Sequence, residues 1–252
     1  MQTYSDAPKV FISGKTLAFW TVILLGVEAL AKLANIGVTT AQLVLASNYP
    51  ETAAAAPGPG GADAPEMPGG HFQMILLLLD NTVSYFGLFT FISTLIMFLV
   101  WLNRAYSNLP SLGVPHPDFS SGWVIGSWFV PLLNLFRPYQ IVKYIWNKSD
   151  PETVGVGGGY YDTGGNFRLK AWWGFWIASN ISINIYGSAE KPDGHLAAGL
   201  AGIFSSGLTI VAACLAIAVV RDITSRQEER HKRLMDASQQ QFWSAGASPN
   251  FT

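Results

Sequence analysis

Charge is what this chain has least of. Only 12% of its 252 residues are Asp, Glu, Lys or Arg, against roughly a quarter in an ordinary soluble domain. Half are hydrophobic, and the mean hydropathy is +0.27. A soluble fold of this size has too few charges here to cover its surface. Cysteine is nearly absent too. Cys214 stands alone in an apolar run, which excludes an internal disulfide and predicts a small buried hydrophobe. The four histidines, His71, His116, His195 and His231, are scattered without ligand spacing, so neither a metal nor a cofactor is expected. Sixteen acids against fifteen bases make no case for nucleic acid, and the bases lack the interleaved aromatics of a nucleic-acid platform. There is no HExxH, no Ser/His/Asp or Cys/His set and no paired-acid pattern. The Gly155–Gly159 run (GVGGG) lacks the Gly-Lys-Ser/Thr ending of a phosphate loop and reads as a linker. The expectation is a non-enzymatic protein.

What the chain does have is apolar runs. Residues 1–15 are polar. Residues 16–46 follow as a first run, read as an uncleaved spanning helix; a signal peptide is the alternative, because Lys15 precedes the run and Ala29-Leu30-Ala31 resembles a cleavage site. Residues 47–71 hold five prolines and five glycines and no lysine or arginine, the composition of an outer loop. Residues 72–103 are a second run, longer than the ~20 residues a span needs. Residues 122–147 are apolar but broken by Pro131, Asn134, Arg137 and Pro138. Residues 167–186 form a span with Trp172, Trp173 and Trp176 near its start, as befits a membrane interface. The last span covers 195–220. The charged tail 221–252 continues the helix, with Glu228/Lys232 and Glu229/Arg233 at the favourable i,i+4 spacing.

The bases set the orientation. Two precede Thr16, six lie from Arg104 to Lys170 and five follow from Arg221 on, so thirteen of the fifteen fall on one side. The positive-inside rule makes that side cytoplasmic. Both termini then share it and the number of crossings is even. The expected fold is an all-α integral membrane protein with four transmembrane helices. The cytoplasmic region 104–166 contains a Pro-broken re-entrant or interfacial element at 122–147. Within that element Tyr139, Ile141, Val142, Ile145 and Trp146 form an apolar face suited to lying in the interface plane. A kinked fifth span is the alternative, giving five crossings.

Polar residues inside spans are candidates for function. Glu28 and Lys32 share a helix face, and Asp80 in the second span stands where it could meet Lys32. They read either as a structural ion pair between helices or as a relay in a small transporter or channel. In the last span Ala198, Gly202 and Ser206 make a small-xxx-small row, expected to meet the preceding helix. Trp101, Arg104 and Asn108 share a face at the inner end of the second span, and Arg137, Tyr139 and Lys143 follow in the broken segment. These six form a candidate site for an anionic lipid or a partner's carboxylate; snorkelling and capping are the plain alternative.

The run WLNRAYSNL, the block SSGWVIGSWFVPLLNLFRPYQIVKYIW, the start AWWGFW and the ending VVRDITSRQ resemble bacterial membrane proteins grouped as domain of unknown function 4328. The pattern falls on Trp101, Arg104, Asn108, Gly122, Trp123, Trp128, Phe129, Pro131, Asn134, Leu135, Arg137, Pro138, Tyr139, Gln140, Trp172, Trp173, Arg221, Ile223, Thr224, Arg226 and Gln227. Where that family often carries an acid after Pro-Tyr-Gln, this chain has Lys143 and Tyr144. The resemblance covers roughly residues 74–228 and implies a multi-pass protein of the bacterial inner membrane without an assigned activity. The expected role is an accessory or scaffold subunit. Its expected partners are membrane lipid and a membrane protein complex.

Overall fold

Prolines and glycines punctuate the chain so sharply that the helices between them are long. The computed structural model describes residues 10–48, 70–153, 166–188 and 195–246. It is all-helical among those residues. The Pro/Gly-rich stretch expected as an outer loop and the glycine run at 155–159 lie almost wholly outside them. Helix α1 is Lys15–Asn48 and α2 is Gly70–Ser107. The broken segment gives α3, Ser121–Gly126, and α4, Arg137–Lys148. Helix α5 is Asn166–Ser188 and α6 is His195–Gly246. Short 3-10 turns occupy Pro110–Leu112, Leu133–Leu135 and Pro151–Thr153.

Three helices, α1, α2 and α6, are long and apolar enough to cross a membrane. At a rise of ~1.5 Å per residue, the 38 residues of α2 run about 57 Å, well beyond a ~30 Å hydrocarbon core. The three tryptophans and three asparagines of α5 lower its apolarity, and it is not one of the three. No proline or glycine interrupts α6 at Val220, so the apolar run and the charged tail are one helix of 52 residues.

The chain divides into two compact units. The first comprises residues 1–22, 95–170 and 217–252, the second residues 23–94 and 171–216. The first unit has an apolar core. Leu102, Leu109, Leu112, Val124, Ile141, Val142, Ile145, Leu169, Val219, Val220 and Ile223 are completely buried in it. Gly113, at φ +88°, closes the Pro110–Leu112 turn by donating its N–H to the Pro110 carbonyl. Only a residue without Cβ adopts that conformation cheaply. Pro138 in the first turn of α4 suits a helix start, where no backbone donor is needed.

The apolar face of α4 is not free for lipid, as the sequence alone suggested. Ile141, Val142, Ile145 and Trp146 are buried in the protein. The outward apolar residues lie one segment earlier, at Trp123, Phe129, Leu132, Leu135 and Phe136, with Leu132 77% exposed.

In the second unit the large apolar side chains mostly point outward. Leu30, Leu78, Tyr85, Phe86, Leu200 and Phe204 are at least half exposed, and Phe89 is 68% exposed. Burying apolar surface gains about 25 cal/mol per Å², so helices that turn such residues out are built for a non-aqueous surround. Cys214 also faces outward, contrary to the buried position expected of it. Ser206, of the small-residue row of α6, meets α1. Ser206 Oγ donates to Asn35 Oδ1 at 3.2 Å. A Cβ on Gly199 would come within 2.8 Å of Leu43 Cδ2. Trp172 and Trp173 are buried, and the rings of Trp173 and Trp176 stack at 4.7 Å.

Candidate functional site

In the first unit, polar side chains at spacings of three and four on α6 reach into the core. Trp101 is 1% exposed, and its Nε1 donates to Thr224 Oγ1 at 3.1 Å. Asn108, 2% exposed, accepts from the Ile12 N–H at 3.3 Å and donates to the Ile12 carbonyl at 2.9 Å. Its amide also donates to Gln227 Oε1 at 3.4 Å. Gln227 Nε2 in turn donates to the Ala105 carbonyl at 2.8 Å and to Ser149 Oγ at 3.1 Å. Trp101 of α2 and Asn108, just past its end, are thus stitched to two residues of α6, with the N-terminal segment and Ser149, just past α4, tied in.

One helical turn further on, Arg230 is the hub. Its Nε donates to the Leu112 carbonyl at 2.7 Å, and its Nη1 donates to Thr153 Oγ1 at 2.5 Å and to the Asp150 carbonyl. Burial lowers its pKa from the ordinary arginine value, with the charge of Asp150 acting the other way. Arg226 lies 4.7 Å over the Trp146 ring, donates to the Trp146 carbonyl at 3.2 Å and stands 3.7 Å from Asp150 Oδ2. A planar guanidinium that stacks and forks suits such a site better than lysine would.

These contacts change the candidate set. Trp101 and Asn108 are internal struts, beyond the reach of a ligand. Among the described residues the half-buried Arg104 side chain has no hydrogen-bond or ion-pair partner. Arg137 lies 5.0 Å over the Phe119 ring and donates to Gln140 Oε1 at 3.2 Å. Tyr139 and Lys143 are half-buried and have partners of their own. Beside them, the Tyr144 hydroxyl accepts from the Asp118 N–H at 3.2 Å. Burial raises the Tyr144 pKa above the ordinary tyrosine value; the hydrogen bond from Asp118 lowers it and the charge of Asp118 raises it further.

The motif pattern of the sequence now has a physical meaning. Its first cluster supplies Trp101 and Asn108, and its last supplies Thr224, Arg226 and Gln227. The two clusters are partners of each other. The family described as domain of unknown function (DUF4328) matches residues 77–225. The chain belongs to the DUF4328 family. No curated protein and no solved structure matches it. In this DUF4328 protein the acid near Arg226 is Asp150, just past α4, where the sequence at Lys143 and Tyr144 offered none. Arg230 and Asp150 went unnoticed in the sequence. The available signal was the stripe Val220, Ile223/Thr224, Gln227, Arg230, which carries the buried face of α6 past the apolar run.

The second unit holds the other candidates. Glu28 is 4% exposed; its Oε1 is 3.6 Å from Lys32 Nζ, and its Oε2 accepts from Thr90 Oγ1 at 2.6 Å. Asp80 does not join them. It has no hydrogen-bond or ion-pair partner among the described residues, and Asn81 bonds back to the Leu77 carbonyl. The partner from α2 is Thr90, ten residues further along. Among the described residues no three His, Cys, Asp or Glu side chains come together to hold a metal ion.

Proposed function

We propose that this DUF4328 protein is a non-enzymatic accessory or scaffold subunit of the cytoplasmic membrane, engaging anionic lipid or a membrane complex through its cytoplasmic face. In this reading α1, α2, α5 and the apolar part of α6 cross the bilayer and both termini are cytoplasmic. Residues 121–148 lie at the inner interface, with Phe129, Leu132, Leu135 and Phe136 dipping into it and Arg137 at headgroup level. One observation carries the reading. The motif residues of the chain pair with one another, Trp101 with Thr224 and Asn108 with Gln227, instead of surrounding a reactive group. They brace a segment whose apolar side chains turn outward.

The test is purification of the tagged protein from native membranes in mild detergent. The reading expects a stoichiometric protein partner or retained anionic lipid; delipidated monomer alone would sink it. Topology is tested separately. After Cys214→Ser, single cysteines replace Gly60, Gly158 or Ser238. Only position 60 should react with an impermeant thiol reagent added outside, and labelling at 238 would favour five crossings.

A small transporter or channel is the second reading. It is favoured by Glu28, whose buried Oε1 lacks a hydrogen bond although it faces Lys32. Uptake or current abolished by Glu28→Gln in proteoliposomes would support it.

A further inference from the structure

A groove of about 800 Å³ opens in the first unit, between the first two turns of α1 and α6 just beyond its apolar run. We infer that this groove seats an anionic glycerophospholipid, with its phosphate on Arg221, Ser225 and Lys232 and its acyl chains along Phe19 and Val22. This deepens the reading of a lipid-engaging cytoplasmic face and rests on it, but it moves the site away from Arg104 and Arg137.

The charges of the groove decide its ligand. Two acids, Glu228 and Glu229, line it, yet both are occupied. Glu228 Oε2 is 3.3 Å from Lys15 Nζ, and its Oε1 accepts from Ser13 Oγ at 2.5 Å. Glu229 Oε1 is 2.9 Å from Arg233 Nε. Among the described residues Arg221 and Lys232 have no such partner, and both are exposed. The groove therefore keeps uncompensated positive charge. A guanidinium, a hydroxyl and an ammonium together match the donors that a phosphate diester takes.

The apolar part decides between a lipid and a soluble phosphate. Phe19, Val22 and Ala18 line the groove below the bases, and Phe19 and Trp20 are at least half exposed. Arg221 directly follows the last apolar residue, Val220. A phosphate on Arg221 is then at headgroup depth, with apolar wall beneath it, the arrangement by which basic clusters beside spans select anionic lipid.

The test uses the full-length protein in a zwitterionic detergent, titrated with phosphatidylglycerol or phosphatidylcholine and followed by native mass spectrometry. Wild type should bind phosphatidylglycerol in preference. Arg221→Gln/Lys232→Gln should weaken that binding tenfold or more, and Lys170→Gln, an exposed base elsewhere, should leave it unchanged. If the double variant binds as wild type does, the groove is not the site, while the broader reading stands. If wild type shows no preference for phosphatidylglycerol, the groove and the lipid arm of the reading both fall, leaving the protein-partner arm to the co-purification. If inorganic phosphate at equal concentration displaces the lipid, Phe19 and Val22 add nothing and the lipid assignment is overturned.

Discussion

The Trp101 indole N–H donates to the Thr224 hydroxyl at 3.1 Å, joining residues 123 positions apart. Thr224 donates its own hydroxyl hydrogen bond to the Val220 carbonyl at 2.8 Å, so both hydroxyl functions are used at a buried position. A neutral buried hydrogen bond contributes about 1 kcal/mol net, while an orphaned partner costs about 1–3 kcal/mol. Trp101→Phe and Thr224→Val should each lower the unfolding midpoint of the detergent-solubilised protein. The double variant should cost less than the two singles combined. Strict additivity in the cycle would mean that the contact carries no coupling.

Arg230 should be the most sensitive position of the charged half of α6. It satisfies the carbonyls of Leu112 and Asp150 and the hydroxyl of Thr153. Arg230→Met strands these acceptors and should cost at least about 2–3 kcal/mol. Arg230→Lys should recover little, because an ammonium lacks the planar fork. Arg233→Met, at an exposed position with an i,i+4 partner in Glu229, should change stability by no more than about 0.5 kcal/mol.

For Glu28 and Lys32 the comparison is between single and double substitutions. Glu28→Met leaves Lys32 without its carboxylate in the second unit and should destabilise by about 1–3 kcal/mol. Adding Lys32→Met should restore most of the loss, since an apolar pair of similar volume can replace a buried ion pair. A thermal-shift series on the three variants reads this out. No recovery in the double variant would argue that each charge has a separate task.

Tyr144 gives a pH dependence of definite sign. Burial raises its pKa in the folded protein, so folding favours the neutral hydroxyl. That contribution is fully present below the unfolded tyrosine value of about 10 and is lost as pH rises through the folded value. Between pH 9 and 11 the midpoint of wild type should fall more steeply than that of Tyr144→Phe. Parallel slopes would remove Tyr144 from the alkaline transition.

The sequence by itself determined that the protein is helical and membrane-embedded, because scarce charge and long apolar runs admit little else. It also marked where the apolar segment 122–147 breaks, at Pro131 and Pro138, and that the last helix runs on into the charged tail. The partners were decided only in three dimensions. Local periodicity gave Asn108 and Gln227 each a helix face without showing that the two faces meet. It gave α4 an apolar face without telling whether lipid or protein would cover it. Glu28 was legible as a buried acid beside Lys32, but Thr90 as its partner depends on the relative register of two helices. The charge balance of the Lys15–Lys232 groove depends on Lys15 meeting Glu228 across more than two hundred residues. Spacing along one helix is set by 3.6 residues per turn, whereas the pairing of distant helices is set by the packing of all of them together.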